Sequence, residues 1–434
     1  MKRFRNILII LCFPIVAIAQ FETTLPTLDR LHQSSYTNPA ILPSYAASIG
    51  LPVLSGMGFN GDIKGISTSV VVNSIDTANR LDLNKFYNNI SNNNIGFGMG
   101  VNLEVLHVRF KVKKWFYGIN LSTKVSNEIG LSKEFLGLAI QGTDYFAGRT
   151  MDASSTRIAF MAYNELGFSA AHKFNQITLG GRVKYLQGLA TAQLNDFTFK
   201  WEQPSSPTGD IIVTTRGTLN TASLPYLLDS LNGKSHKSEI EASSFTGFSN
   251  TGWGLDLGAF YDLNKDLKVG ASVIDWGWIS WNNQTYNYTS NENSVVYSGV
   301  NLDQMDNDSL RQEYLDSLVN ATLPVASDKS FETALPLKVF LTASYKIHKK
   351  IRVGAMYQGH RVQNEFRNAY TLSLTAQLGN GFDITTNYSN IAGTFNTFGL
   401  GIVGKAGPIQ TYLIVDNIIP SYSHLVSFRF GMNV

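Results

Sequence analysis

Seven histidines, one cysteine and scattered acids are the residues of this chain best equipped for bond-making chemistry. Their spacing argues against it. His32, His107, His172, His236, His348, His360 and His424 make no zinc motif. Glu104 and His107 are neighbours in sequence, but residues three apart on a strand point to opposite faces, so no metal site is expected there. Asp303, Asp306, Asp308 and Glu313 resemble a calcium loop loosely: the turn glycine is missing and Leu310 stands where a ligand belongs, so helix capping and solvation account for them better. No G-x-S-x-G elbow occurs. The expectation is a chain with no catalytic residue, metal or cofactor, and not an enzyme.

A second set of charges sits at regular places. Glu104, Lys124, Arg182, Lys184, Asp256, Lys338, Arg352 and Arg429 all fall on the polar register of segments that alternate apolar and polar residues. They either line a polar path or form a salt-bridged interior, and the second is the commoner arrangement. Trp276, Trp278 and Trp281, just after a segment of alternation at 267–275, are suited as a group to gripping an apolar ligand near the outer rim, although interfacial anchoring is the more frequent use of such tryptophans.

The elements that must position these residues are strands. Val426, Phe428, Phe430, Met432 and Val434 alternate with Leu425, Ser427, Arg429, Gly431 and Asn433; Tyr370, Leu372, Leu374, Ala376 and Leu378 alternate with Thr371, Ser373, Thr375 and Gln377. Period two is the signature of a half-buried strand. Clean alternation predicts strands over 47–57, 95–112, 115–125, 158–172, 177–187, 253–261, 267–275, 335–347, 351–357, 370–378, 381–389, 395–404, 409–416 and 423–434, about fourteen in all. A soluble sandwich alternates too. The connections decide against it: tight turns such as Lys113-Lys114, Asn175-Gln176 and Lys405 to Gly407 sit between long excursions at 58–94, 126–157, 188–252 and 276–334. Short turns on one side and long loops on the other mark an all-β, transmembrane antiparallel β-barrel of the Gram-negative outer membrane with long extracellular loops, and the count puts both termini on the periplasmic side. Arg182, Lys184, Lys338, Arg352 and Arg429 are therefore expected in the lumen, because each would cost about 2–4 kcal/mol on the lipid face.

The ends agree with export. Residues 1–19 combine Lys2, Arg3 and Arg5 with an apolar stretch and Ala17-Ile18-Ala19, the layout of a cleaved signal peptide. Its removal takes Cys12, the one cysteine, and brings the formal charge from +3 to about zero, which excludes a disulfide framework and leaves nothing to attract nucleic acid. Residues 20–46 lack alternation and carry Pro26, Pro39 and Pro43, so they are expected to be an arm lying inside or below a barrel of 47–434. A short helix is expected within 128–141, another near Ser309, and extra strand pairs near 195–219.

Tyr36-Thr37-Asn38-Pro39-Ala40 resembles the Asn-Pro-Ala element near the mature N-terminus of long-chain fatty-acid transporter barrels and of type IX secretion accessory barrels. Asn164 to Ser169 with Gly181 to Gly188, Gly254 to Ala259 with Val273 to Gly277, and Gly407 to Tyr412 with Asp416-Asn417 resemble a Bacteroidota family of uncharacterised outer-membrane barrels over most of the mature chain. That resemblance implies a fourteen-stranded barrel with an N-terminal plug, with Asn38, Pro39 and Ala40 as plug positions. In the fatty-acid transporters a plug and a lateral opening pass hydrophobic molecules; in the secretion relatives the barrel is a docking partner. Two functions follow as expectations: passive passage of a hydrophobic or amphipathic small molecule, or a non-transporting surface or secretion-accessory scaffold that meets other proteins through its long loops. Lipid is the surrounding partner in either case.

Overall fold

The structure, a computed structural model, describes residues 21–42, 45–52, 54–66, 68–76, 79–91, 93–204, 210–224, 249–297, 325–362, 365–379, 381–391, 395–418 and 425–434. Twenty strands make one antiparallel sheet: β1 (Ala47–Ile49), β2 (Gly56–Lys64), β3 (Asn94–Val112), β4 (Trp115–Ser132), β5 (Arg149–Asp152), β6 (Arg157–Phe174), β7 (Ile177–Gln203), β8 (Ile211–Ala222), β9 (Thr251–Asp262), β10 (Leu267–Trp281), β11 (Thr285–Tyr297), β12 (Val325–Ser327), β13 (Phe331–Ala334), β14 (Lys338–His348), β15 (Ile351–Val362), β16 (Glu365–Leu378), β17 (Phe382–Ile391), β18 (Phe395–Ala406), β19 (Ile409–Val415) and β20 (Leu425–Asn433). Fourteen of them, β2, β3, β4, β6, β7, β9, β10 and β14 to β20, pair in that order, and β20 returns to β2. The ring is closed, so the wall has no free edge, which is the condition for a sheet surrounded by hydrocarbon.

The period-two pattern becomes two surfaces. Along β16, Tyr370, Leu372, Leu374 and Leu378 point outward and are exposed, while Thr371 and Thr375 are buried in the lumen. Phe168, Leu179, Val183, Leu257, Leu341, Leu413 and Phe430 continue the exposed apolar face around the ring. So much contiguous apolar surface cannot stand in water. Trp115, Tyr117 and Phe174 cluster beside the short turns, where Trp115 meets Phe174 edge-on at 6.4 Å between centroids. That is the place of an interfacial aromatic girdle. Among the described residues no helix is long and apolar enough to cross a membrane; the crossing elements are strands.

Two-residue turns close β3–β4 at Lys113-Lys114 and β6–β7 at Asn175-Gln176, with Lys113 and Asn175 at positive φ as such hairpins require. Away from the short turns the wall grows past the bilayer. The tail of β7 pairs with β8, β8 with β11 and β11 with β12, forming a projecting sheet, so the expected strand pair near 195–219 is present and larger than anticipated.

Two expectations need correction. The first strand, placed at 47–57, is two elements: β1 caps the start of the wall against β3, and the wall strand proper is β2, because the β1–β3 ladder ends at Ile49–Val108 and the β2–β3 ladder begins at Gly56–Glu104. The helix placed at 128–141 is Lys133–Gln141, since β4 runs on to Ser132, whose hydroxyl caps the helix by accepting from the Glu134 N–H. The helix expected near Ser309 lies outside the described residues. Both wall ends, at Ala47 and Val434, lie by the short turns, where Ile49 N–H donates to the Val434 carbonyl at 2.7 Å.

Replacing Leu372 by Arg puts a charge on the outward face of mid-wall. We expect a loss of about 2–4 kcal/mol in reversible urea unfolding from lipid. Thr371→Ser, on the lumen face of the next position, serves as the near-neutral comparison.

Candidate functional site

The arm 21–42 fills the lumen. Two short 3-10 turns, Leu25–Thr27 and His32–Tyr36, stack Leu25, Leu28 and Leu31 against Val403, Tyr412 and Ile414 of β18 and β19. This explains the run Tyr412-Leu413-Ile414: Leu413 faces outward while its neighbours face the arm. Asn38-Pro39-Ala40 lies flush on the wall. The Asn38 side chain donates to the Ala271 carbonyl and accepts from the Ala40 N–H at 2.9 Å. The wall opposite is bare backbone: a Cβ on Gly258 would stand 2.1 Å from Asn38 Oδ1, and one on Gly180 2.4 Å from the Pro39 carbonyl oxygen. Phe21 packs between Ala369 and Ile391, far up the β16–β17 ladder from its short turn. The described arm therefore begins high in the lumen and descends to the wall's first strand.

Every cation placed by sequence in the lumen has a buried or half-buried acid beside it. Arg182 reaches Asp256 at 3.2 Å; Lys184 reaches Asp256 at 2.6 Å and Asp275 at 2.5 Å; Lys124 reaches Glu165 at 2.7 Å. The other three are met by the arm: Lys338 and Arg429 converge on Glu22 at 3.4 and 2.6 Å, and Arg352 pairs with Asp29 at 2.7 Å. Arg30 returns the gesture to Asp383 of β17 at 3.1 Å. Burial alone would push the Glu22 carboxyl up; Arg429 and Lys338 outweigh it and hold the group at about 2, so it stays ionised. Glu22, Asp29, Glu165 and Asp275 were not singled out from sequence. Glu165 sits on a legible polar register of β6, but the arm acids carry no pattern that marks them.

Two bulges upset the alternation where it matters most. In β3, Val105 is an extra residue between the rungs Glu104–Ser122 and Leu106–Leu121. The insertion turns Glu104 and His107 to the same side, against the expectation that they diverge: Glu104 Oε1 lies 2.6 Å from His107 Nδ1, and both are buried. In β10, the register with β9 jumps between Val273 and Trp276, with Asp275 at φ 60°. Asp275 is thereby aimed inward at Lys184 while Trp276 and Trp278 point outward; Trp281 faces in, fully buried, and donates its indole N–H to Thr333 at 2.8 Å. The three tryptophans are thus not one cluster.

The same bulge interrupts the wall. The β10–β14 ladder ends at Ile274–Lys338 and the β10–β13 ladder resumes at Trp278–Ala334. Between them 335–337 contribute one backbone hydrogen bond across to β10, Leu335 N–H to the Gly277 carbonyl at 2.9 Å, and Pro336 has no N–H to give. A cavity of about 970 Å³ opens here above the arm. Its lining includes lumen residues Ser126, Met161 and Asp275 together with Pro336, Trp276 and Trp278. Below it, a polar void of about 80 Å³ sits among Glu22, Lys124, Glu165 and Lys184.

A closed fourteen-strand wall with an apolar exterior, a charged interior and its own N-terminal arm as stopper defines the class: a plugged transmembrane β-barrel. The chain belongs to the family of unknown function DUF5723, whose model matches residues 39–416. No curated protein matches it. Among solved structures it is similar to the toluene transporter TbuX of Ralstonia pickettii, at 13% identity over 93% of this chain and 92% of that one, with a TM-score of 0.39. It is also similar to the toluene transporter TodX of Pseudomonas putida, at 10% identity over 96% and 93% with a TM-score of 0.41, and to the monoaromatic hydrocarbon channel CymD, at 10% over 97% of each chain with a TM-score of 0.41.

Lys184→Met removes the cation shared by three buried carboxylates, Asp256, Asp275 and Glu165, and should cost about 3–5 kcal/mol in denaturant unfolding, whereas Lys349→Met in an exposed turn should be near neutral. Gly258→Leu leaves the wall sequence otherwise intact but denies Asn38 its seat. Protease should then cut the arm of the detergent-solubilised barrel, which it spares in the parent.

Proposed function

We propose that this barrel is a passive conduit in the outer membrane for hydrophobic or amphipathic small molecules, taken from the long-loop side into the cavity and released sideways into the bilayer. The observation that carries this reading is the break between β10 and β14. One cavity touches the lumen, the interrupted rungs at 275–277 and 335–337, and the outward Trp276 and Trp278. The arm closes the straight path downward with a core of leucines and paired charges, so a molecule in the cavity meets its least obstructed way out at the wall.

The lining supports an amphipathic cargo over a purely apolar one. Met161, Leu335 and Trp276 offer apolar contact, while Ser126, Asn127 and Gln193 offer hydrogen bonds. Conduction by such a route needs no catalytic group. In this reading residues 1–19 are the cleaved export signal, and the short turns face the periplasm.

A second reading rests on the projecting sheet of β7, β8, β11 and β12, which gives the outer end of the barrel a rigid platform for a surface or secretion partner.

The conduit reading is tested with liposomes holding the purified barrel and a lipophilic fluorescent probe. Entry should be faster than into empty liposomes, and Ser126→Trp, which fills the cavity, should slow it by about tenfold without altering the folded fraction. Equal entry with and without the parent protein would sink the proposal and leave the platform reading standing.

A further inference from the structure

Glu104 is a buried carboxylate that touches no lysine or arginine among the described residues. Its partners are two imidazoles and two neutral donors. Tyr36 O–H donates to Oε1 at 2.5 Å and the Gln33 amide donates to Oε2 at 2.9 Å, both from the arm. His107 Nδ1 lies 2.6 Å from Oε1, and His32 Nε2 of the arm lies 3.7 Å from the same oxygen. The rings of His32 and His107 are stacked, 3.7 Å between centroids and 6° from parallel. All three residues are buried, and their donor atoms lie within 4.8 Å of one another.

Two features of this cluster point to a ligand. Both rings are enclosed, and each presents a nitrogen to the same carboxylate oxygen, His107 Nδ1 at 2.6 Å and His32 Nε2 at 3.7 Å. The far nitrogen of His107, Nε2, is held by the Ser48 hydroxyl at 3.0 Å. When Nε2–H donates to Ser48, this outer hydrogen bond fixes the ring and leaves the Nδ1 lone pair available, which is how metal-binding imidazoles are oriented. Arg109 and Arg182 act on His32 from nearby, but among the described residues no lysine or arginine contacts the Glu104 carboxylate, so a cation bound at its oxygens would supply the direct countercharge.

We propose that His32, Glu104 and His107 form a binding site for a divalent transition-metal ion of the zinc type, which ties the arm to the barrel wall. Two imidazoles and one carboxylate are a zinc donor set, and tetrahedral ligands about 2.0–2.1 Å from the ion stand roughly 3.3 Å apart. The observed separations of 2.6 and 3.7 Å bracket that value. Binding requires the two rings to turn out of parallel, and Tyr36 O–H, 3.2 Å from His32 Nε2, stands near the fourth position. The site exists only because Val105 bulges, and only when the arm is seated. It rests on no assumption about cargo.

The test uses the untagged, chelator-stripped full barrel in detergent, titrated with zinc chloride by calorimetry and with cobalt chloride by visible absorption. One equivalent per chain is expected, with cobalt giving the intense bands of tetrahedral coordination. His32→Gln and His107→Gln should each weaken zinc binding roughly tenfold or more while the heat-modifiable mobility of the folded barrel persists. His32→Gln changes only the arm and so keeps the test valid if His107→Gln fails to fold. No binding at about 100 µM zinc, well above the range of a structural site, would overturn the proposal and assign the charge on Glu104 to a protonated histidine. Binding of equal strength in His32→Gln would overturn it as well.

Discussion

Most of the charge in the lumen is paired at short range. Six of the cations on its wall, Lys124, Arg182, Lys184, Lys338, Arg352 and Arg429, stand in a space enclosed by protein and beyond it by hydrocarbon, where an unpaired charge costs several kcal/mol, while Arg109 is held by the Ile41 carbonyl of the arm. The wall supplies only part of the answer, through Asp256, Asp275 and Glu165. The remainder comes from Glu22 and Asp29 of the arm. The arm is therefore a structural component of the barrel's interior, as necessary to Lys338, Arg352 and Arg429 as the strands that carry them.

This requirement also shapes the place where the wall gives way. Asp275 reaches Lys184 only by adopting a left-handed backbone, a conformation that aspartate tolerates better than most residues. The turn that aims it inward costs β10 its register and leaves 335–337 poorly bonded, with a proline at the centre. A single residue thus joins the charged floor of the cavity to the gap in its side. Charge pairing below and strand interruption beside it are two outcomes of one bulge.

Much of the wall was legible because lipid enforces strict alternation: the outward residues of β16 and β20 could not be otherwise. The fourteen strands, the sorting of short and long connections and the inward placement of Arg182 or Arg429 all follow from that rule. What alternation cannot reveal is where it skips. Val105 and Asp275 look like ordinary strand residues, yet each shifts the face of everything after it, so Glu104 and His107 were assigned to opposite sides and the three tryptophans to one cluster. The short β1 was merged with β2 for a related reason, since the sequence stays apolar between the two ladders. The arm's acids were illegible because their meaning lies wholly in partners hundreds of residues away, although Asn38-Pro39-Ala40 marked the segment that carries them.

That separation has a kinetic meaning. Glu22 and Arg429 are 407 positions apart, and the arm precedes every strand it touches. Its leucine core needs β18 and β19, and its carboxylate needs the last strand of the ring. Neither seat exists until the final segments of the polypeptide have arrived, and once β20 has joined β2 the circle offers a narrow way in. Sealing the cylinder and stowing its leading end are thus one event, with the slowness that contacts between distant parts of a chain impose. The nascent protein must carry its N-terminal segment uncommitted through nearly the whole of its construction.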